Sequence, residues 1–514
     1  MTATILLTTI NARYMHTAFA LRYLYANMGT LQADTHIIEF TLQEQATQIV
    51  EQLLSYQPKI IGLSVYIWNV TLLNTVSQLL KQLAPDVTLI AGGPEVSHPP
   101  DLPCLAQSVD YIITGPGELS FPELCQQVLQ QAAPSEILLA GKPAPLEAIT
   151  LPYQYYSDED IRHRLIYVEA SRGCPFQCEF CLSALDKTAK PFPLDAFLAA
   201  MQQLLDRGVR NFKFIDRTFN LKISTSIAIL TFFLTRMRDD LYLHFEVVPD
   251  HLPSALKTVL AQFPPNHLQF EIGIQSFDTA IQQAISRKQN NEKTKANISW
   301  LREHTGAHLH TDLLFGLPQD TLENFAASFN QLVSLRPQEI QVGLLKRLRG
   351  APINRYTEQE QMIYHPQAPY TLLASRTITF QAMQQMQRFS RFWDMFGNSG
   401  RFHHSLPLIM AEDPFRRFLS FSDALYTLAG RSWKIALKRQ LELVYTLLVN
   451  HFHVDERLAH AAVIQDAKHS GIKGHLMING VTSPPASKQG IANKRQQRHQ
   501  RPVNNKDDNA LNAG

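Results

Sequence analysis

Three cysteines stand together in the stretch Ser171-Arg172-Gly173-Cys174-Pro175-Phe176-Gln177-Cys178-Glu179-Phe180-Cys181. Their spacing is C-x3-C-x2-C. Thiolates bind soft metals and iron–sulfur clusters, and three on one short loop hold three corners of a cubane cluster. With no fourth cysteine nearby, one iron is left open to an exogenous ligand. Structural zinc takes four protein ligands, usually from paired C-x2-C knuckles, and neither a second pair nor a His-x3-His follows. The bland reading is three unliganded thiols, and their spacing on a strand-to-helix loop counts against it. Cys104 and Cys125 have no companion ligand and read as packed thiols.

A second set of candidate residues lies nearer the N-terminus, in turns after apolar runs. These are Ser64, the Gly92-Gly93-Pro94-Glu95 turn and the Gly115-Pro116-Gly117-Glu118 turn. Glycine lets the backbone approach a ligand closely, and a helix that follows favours phosphate at its N-terminus. The bland reading is ordinary tight turns of an α/β domain.

The elements that position these residues follow from hydrophobic periodicity. Residues 1–140 alternate apolar runs (5–9, 36–40, 60–65, 87–91, 111–114) with amphipathic helical patterns (18–27, 43–54, 72–83, 120–131). That alternation specifies βαβ units on a parallel, doubly wound, flavodoxin-like sheet, with ligands at the carboxyl ends of the strands. Residues 141–163, rich in proline and acidic side chains, read as a linker. In 164–350 the strand runs are 164–169, 211–215, 244–248, 268–274, 310–315 and 339–344, with helical patterns such as 194–207 and 224–239. Six βα units suggest a partial (β/α)6 barrel with its chemistry at the C-terminal mouth. The cysteine loop directly follows the first of those strands. Residues 351–480 read as a helical C-terminal region (373–386, 415–428, 433–450). Residues 481–514, poor in apolar side chains, read as a disordered basic tail.

Composition sets the outer bounds. The chain has 514 residues, 45% apolar and 18% charged, enough for several buried cores. Lys and Arg number 47 against 45 Asp and Glu, a formal charge of +2. Six basic residues against two acidic in 484–514 give that segment +4 and leave the rest at −2. The body therefore has no polyanion-binding bias, and the tail reads as solvated rather than as a nucleic-acid arm. The first residues lack a basic region followed by a long apolar stretch, and no apolar run reaches membrane-spanning length. A cytoplasmic protein in a reducing compartment is expected, consistent with the cysteine usage.

The cysteine loop on six βα units resembles the radical S-adenosylmethionine superfamily. The resemblance implies a [4Fe-4S] cluster on Cys174, Cys178 and Cys181, with S-adenosylmethionine on the open iron. It places Phe180 near the adenine. Further residues resemble the oxygen-independent coproporphyrinogen oxidase branch: Glu246-Val247-Val248-Pro249-Asp250, Gly273-Ile274-Gln275-Ser276, Arg287, and Asp312-Leu313-Leu314-Phe315-Gly316-Leu317-Pro318. That resemblance implies that Glu246, Gln275, Arg287 and Asp312 contact S-adenosylmethionine. A guanidinium suits a carboxylate, and acids suit ribose hydroxyls or an ammonium. The second strand departs from the family's Gly-Gly-Glu ending and reads Ile215-Asp216-Arg217. Asp216 could accept from the methionine amine, and Arg217 could meet the methionine carboxylate or the substrate.

A doubly wound domain ahead of such a barrel looks like the cobalamin-binding members. Ser64, Gly92, Gly93, Gly115, Gly117 and Glu118 are then the expected cobalamin contacts. The Asp-x-His-x-x-Gly motif of methionine synthase-type domains is absent, since the first loop reads Asn11-Ala12-Arg13-Tyr14-Met15-His16, so His16 is not the expected axial ligand. The remainder resembles a bacterial branch with a helical C-terminal domain. The function implied is methylation of an unactivated carbon of a small-molecule substrate, with an electron donor such as flavodoxin or ferredoxin. Two alternatives stand beside it: a radical oxidoreductase or cyclase, for example on a tetrapyrrole, and a non-catalytic cobalamin or redox sensor. No catalytic residue is assigned beyond the cofactor ligands.

Overall fold

The computed structural model describes residues 3–470, 477–478, 481–482 and 495–499. The chain divides into two compact units. The first comprises Met1–Leu260, Gln283–Lys288 and Leu345–Ser375, and the second Ala261–Gln282, Gln289–Leu344 and Arg376–Gly514.

The first unit opens with β1 (Ile5–Asn11), α1 (Phe19–Ala26), β2 (Thr35–Thr41), α2 (Ala46–Leu54), β3 (Ile60–Ser64), α3 (Val70–Leu83), β4 (Thr88–Gly92), β5 (Tyr111–Thr114), α4 (Ser120–Leu129) and β6 (Leu138–Ala140). All six strands are parallel, in the order β2-β1-β3-β4-β5-β6. This is the doubly wound arrangement expected, with its switch point between β1 and β3. Every residue of β1 and β3 is buried, because a parallel sheet is covered on both faces. One core packs around Leu6, Ile61 and Leu89, and another around Leu7, Ile60 and Phe121. The sequence pattern does not predict strand β6. It sits at the sheet edge with Leu138 exposed, and so carries no buried apolar run.

Residues 141–163 are not a free linker. They contain α5 (Asp158–His163), started by a capping box in which Ser157 and Asp160 bond each other's backbone N–H. Tyr153 and Tyr156 are buried, and Asp160 forms a buried ion pair with Arg22 of α1 at 2.7 Å.

After it come β7 (Ile166–Val168), β8 (Ser171–Arg172), β9 (Lys190–Pro191), α6 (Leu194–Asp206), β10 (Asn211–Phe214), α7 (Ile223–Leu234), β11 (Tyr242–Val247) and α8 (Ser254–Leu260). Strand β10 pairs in parallel with β7 on one side and β11 on the other. Phe214, Phe219 and Phe245 pack against one another in edge-on and tilted contacts towards the carboxyl end of these strands. The short antiparallel pair β8 and β9 brackets the cysteine loop.

The second unit carries β12 (Leu268–Gln275), α9 (Asn291–His304), β13 (His308–Phe315), α10 (Leu322–Ser334) and β14 (Glu339–Leu344). Its strands are parallel in the order β12-β13-β14. All six strands expected of the partial barrel are therefore present, three in each unit. Helices α11 (Phe380–Phe392), α12 (Ser405–Met410), α13 (Pro414–Ala429), α14 (Leu437–Asn450) and α15 (Glu456–Ser470) form the helical region. Phe329, Phe389, Trp393, Phe415 and Phe418 make its aromatic core. The helix expected over 373–386 begins only at Phe380, where the Thr379 hydroxyl caps the Ala382 N–H at 3.2 Å; Leu372–Ala374 is a strand instead.

The expected disordered tail mostly lies outside the described residues. Within it α16 (Arg495–His499) is helical, and Arg495 pairs with Glu339 at 2.9 Å and Asp394 at 2.7 Å. Among the described residues no helix is long and apolar enough to cross a membrane.

Candidate cofactor site

The site builds up from the carboxyl end of β7. There the chain turns through Gly173, whose φ is +87° and whose added Cβ would lie 2.2 Å from the Thr188 carbonyl oxygen. Only glycine fits both the backbone and the space. The next residue, Cys174, donates its N–H to Asp186 O at 2.8 Å, and the Cys181 N–H donates to Cys178 O at 3.1 Å. Cys174 and Cys178 are buried, Cys181 is half-buried, and all three are free thiols. Burial raises the pKa of Cys174 and Cys178, and the guanidinium of Arg287 opposes this at Cys178, its Nη1 lying 3.6 Å from Sγ.

Among the described residues no group of three or more His, Cys, Asp or Glu converges on a single-ion site. The donor set fits a cluster instead, because each of three thiolates then binds a different iron. Phe180 is half-buried on the same loop.

Asp216 follows β10 and is buried. Its carboxylate accepts the Ala170 N–H at 3.0 Å and the Ser171 hydroxyl at 2.6 Å, so it fastens the start of the cysteine loop. Burial pushes its pKa up to about 6, against those hydrogen bonds. Arg217 beside it reaches both oxygens of Glu246, at 3.0 and 2.8 Å. These two expected contacts are thus joined to each other. In the second unit, Gln275 ends β12 at φ +69°, where the register shifts against β13. Asp312 lies on β13, 3.4 Å from His310 Nε2.

A cavity of about 890 Å³ opens at the carboxyl edge of the doubly wound sheet. Ser64, Gly92, Gly93, Gly115, Gly117 and Glu118, the six residues expected to meet cobalamin, all line it. So do Tyr167 and Glu169 at the end of β7, and Arg172, two residues before the first cysteine. His16 also lies in the wall, its Nδ1 2.6 Å from the Tyr167 hydroxyl, and burial lowers its pKa. Asn69, fully buried, ties the loops of this edge together: its amide nitrogen donates to Ile10 O at 3.2 Å and Ser64 O at 3.1 Å, and its Oδ1 accepts from Tyr66 N at 2.8 Å.

Reasoning from sequence missed Asn69, Glu169, Arg172 and Arg355. Arg172 stands within the cysteine motif, which could have marked it. Arg355, which holds Glu179, lies far off in the chain and carries no local signal.

A cavity shared by strand-end glycine loops and by the strand that leads into a three-thiol loop defines an α/β protein that holds large cofactors. Residues 5–125 match the B12 binding domain, 168–332 the Radical SAM superfamily, and 358–467 a protein family of unknown function, DUF4080. The chain thus carries a B12-binding domain, a radical S-adenosylmethionine domain and that third helical region. The two cofactor domains imply cobalamin, a [4Fe-4S] cluster and S-adenosylmethionine.

Among curated proteins it is 25% identical over 361 residues to the cobalamin-dependent radical SAM methyltransferase TokK of Streptomyces tokunonensis, covering 62% of this chain and 50% of TokK. It is 23% identical over 356 residues to the 2-(S-pantetheinyl)-carbapenam-3-carboxylate methyltransferase of Streptantibioticus cattleyicolor, covering 61% and 50%. The chain therefore spans about half the length of these relatives. Among solved structures it shares its fold with the cobalamin-dependent S-adenosylmethionine radical enzyme OxsB, with a TM-score of 0.62 at 13% identity over 97% of this chain and 84% of OxsB.

Proposed function

We propose that this chain is a cobalamin-dependent radical S-adenosylmethionine methyltransferase acting on an unactivated carbon of a small molecule. The observation that carries the reading is the single cavity onto which both the strand-end loops and the strand preceding the cysteines open. The kinship with two curated methyltransferases supports it.

In this reading Cys174, Cys178 and Cys181 hold the cluster, and Arg287 beside Cys178 meets the methionine carboxylate. Phe180 flanks the adenine. Asp216 keeps the loop in register through Ala170 and Ser171, while the Arg217–Glu246 pair presents the polar rim. For Gln275 and Asp312 the reading remains the one the resemblance implies, contact with S-adenosylmethionine. Gly93 and Gly115 let the backbone approach the corrin, and Ser64, Gly92, Gly117 and Glu118 complete that wall. When bound, the cluster supplies the electron that cleaves S-adenosylmethionine and the corrinoid carries the methyl group. The apolar cavity wall, including Phe19, Leu21 and Leu24, excludes water from that chemistry. Reducing equivalents come from a flavodoxin or ferredoxin, and the thiol loop suits a cytoplasmic setting.

The test is anaerobic reconstitution with iron, sulfide and hydroxocobalamin. Uptake of a cluster and a corrinoid, with dithionite-dependent cleavage of S-adenosylmethionine, is expected. A protein that binds no corrinoid ends the methyltransferase reading. Cleavage with no label transferred from methyl-labelled S-adenosylmethionine, across candidate small molecules, favours oxidoreductase or cyclase chemistry.

A further inference from the structure

Resting on that reading, we propose that Arg172 is the positioning residue that fixes the corrinoid cavity relative to the cluster loop. One guanidinium ties together parts of the first unit that are far apart in sequence. Its Nη1 donates to Glu118 Oε1 at 2.5 Å and its Nε to Glu169 Oε2 at 2.9 Å. Its face lies 4.5 Å from the ring of Tyr23 on α1 and 5.5 Å from that of Phe192. Glu118 ends the Gly115-Pro116-Gly117 turn of the cavity wall, and Glu169, directly after β7, lines the same cavity.

The other end of the residue is equally constrained. The Arg172 backbone pairs with Lys190 across β8 and β9, and only Gly173 separates it from Cys174. Gly173 sits against Thr188 with no room for a side chain, since an added Cβ would lie 2.2 Å from the Thr188 carbonyl oxygen. A displacement of the Glu118 turn therefore passes through the guanidinium to the first cysteine. Lysine could not replace it. A point charge cannot serve two carboxylates in a planar fork while stacked on an aromatic ring. A role in folding alone would lower stability without altering the geometry between two bound groups, and that separates the two explanations.

The experiment uses the full chain loaded with cluster and cobalt(II) corrinoid. Pulsed electron paramagnetic resonance then reads the distance between the reduced cluster and the cobalt. The native protein gives one narrow distance. Arg172→Gln and Arg172→Lys, saturated with both groups, should broaden that distribution at least about twofold, and Glu118→Gln should do the same, since coupled residues act as a unit. Where Arg172→Gln does not fold, Glu118→Gln and Arg172→Lys still decide the matter. An unchanged narrow distance in variants that retain both groups overturns the proposal. A native protein that takes up neither group ends the parent reading instead, and iron, sulfide and corrinoid quantitation tells these failures apart.

Discussion

Arg355 grips Glu179, a residue 176 positions away, through two nitrogens: Nε to Oε2 at 2.8 Å and Nη2 to Oε1 at 2.7 Å. Glu179 sits between the second and third cysteines and is buried. Its backbone is held as well, by the Ile285 carbonyl at 3.0 Å and the Ile353 N–H at 2.9 Å, and Ser286 Oγ donates to its carboxylate at 2.9 Å. The loop that presents the thiols is thus clamped from behind by segments distant in sequence. Groups that orient metal ligands typically matter almost as much as the ligands, and losing one costs about 10–100-fold in metal affinity. Arg355→Ala should therefore bind its cluster at least about tenfold less tightly, read as iron and sulfide retained per chain after desalting. Arg355→Lys keeps the charge, loses the fork and should fall between. Native iron content in Arg355→Ala would refute the clamp.

Arg287 follows from the same corner. With Nη1 at 3.6 Å from Cys178 Sγ, it stands beside the cysteine loop, and in the proposed reading it would pair with the carboxylate of S-adenosylmethionine. A hydrogen bond to a charged group contributes about 1.5–3 kcal/mol, so Arg287→Met should weaken S-adenosylmethionine binding by roughly tenfold or more while the cluster stays. Equilibrium dialysis with labelled S-adenosylmethionine, beside iron quantitation, measures both. Equal affinity in the variant would remove Arg287 from the site.

Two glycines of the cavity edge should respond differently to alanine. Gly93 has φ +110°, and a Cβ there would lie 2.6 Å from the backbone oxygen of Val65. Gly115 has φ +77° and nothing within 4 Å of its Cβ position. Gly115→Ala should cost only the left-handed strain, about 1–2 kcal/mol. Gly93→Ala adds a backbone collision and should cost more, about 3 kcal/mol or above, with β3 and β4 pushed apart. Denaturant unfolding of both variants tests the order, and equal costs would contradict it.

Much of this is legible in the sequence, and the reasons are local. Strands β1, β3 and β4 are buried on both faces and read as continuous apolar runs. The thiol spacing and the glycine turns are likewise short-range patterns, and they fall where the cavity and the loop lie. What cannot be read depends on distant partners or on weak runs. Strand β6 is exposed at an edge. Helix α5 reads as a linker because its segment is proline-rich and acidic, although Ser157-Asp158-Glu159-Asp160 contains a usable capping box. Its burial is set by Arg22, 138 residues away from Asp160. The clamp at Arg355 is invisible for the same reason. Asp216 shows the converse: its position at a strand end marks it in the sequence, but its hydrogen bonds go to the protein's own Ala170 and Ser171.

Asp466 gives a pH test within the second unit. This fully buried carboxylate of α15 accepts the His404 N–H at 2.9 Å, the Ser405 N–H at 3.0 Å and the Ser405 hydroxyl at 2.5 Å, and so caps the start of α12. Burial outweighs these bonds and pushes its pKa up to about 7, from an ordinary 3.8. Between those values the folded protein holds a proton that the unfolded chain has released. Stability from this group is therefore fully present at low pH and declines as pH rises from about 4 to about 7. Asp466→Asn removes the titration and turns one acceptor into a donor facing N–H groups, so it should be less stable at every pH, by roughly 1–3 kcal/mol near neutrality. The gap to the native protein should widen by about 2–3 kcal/mol when pH falls from 7.5 to 5, since each pH unit between the unfolded and folded pKa values is worth about 1.4 kcal/mol. Other titrating groups are common to both proteins and cancel in the difference. Urea unfolding of the two at both pH values measures it, and a gap that stays constant or narrows on acidification would mean that Asp466 is ionised in the folded state throughout.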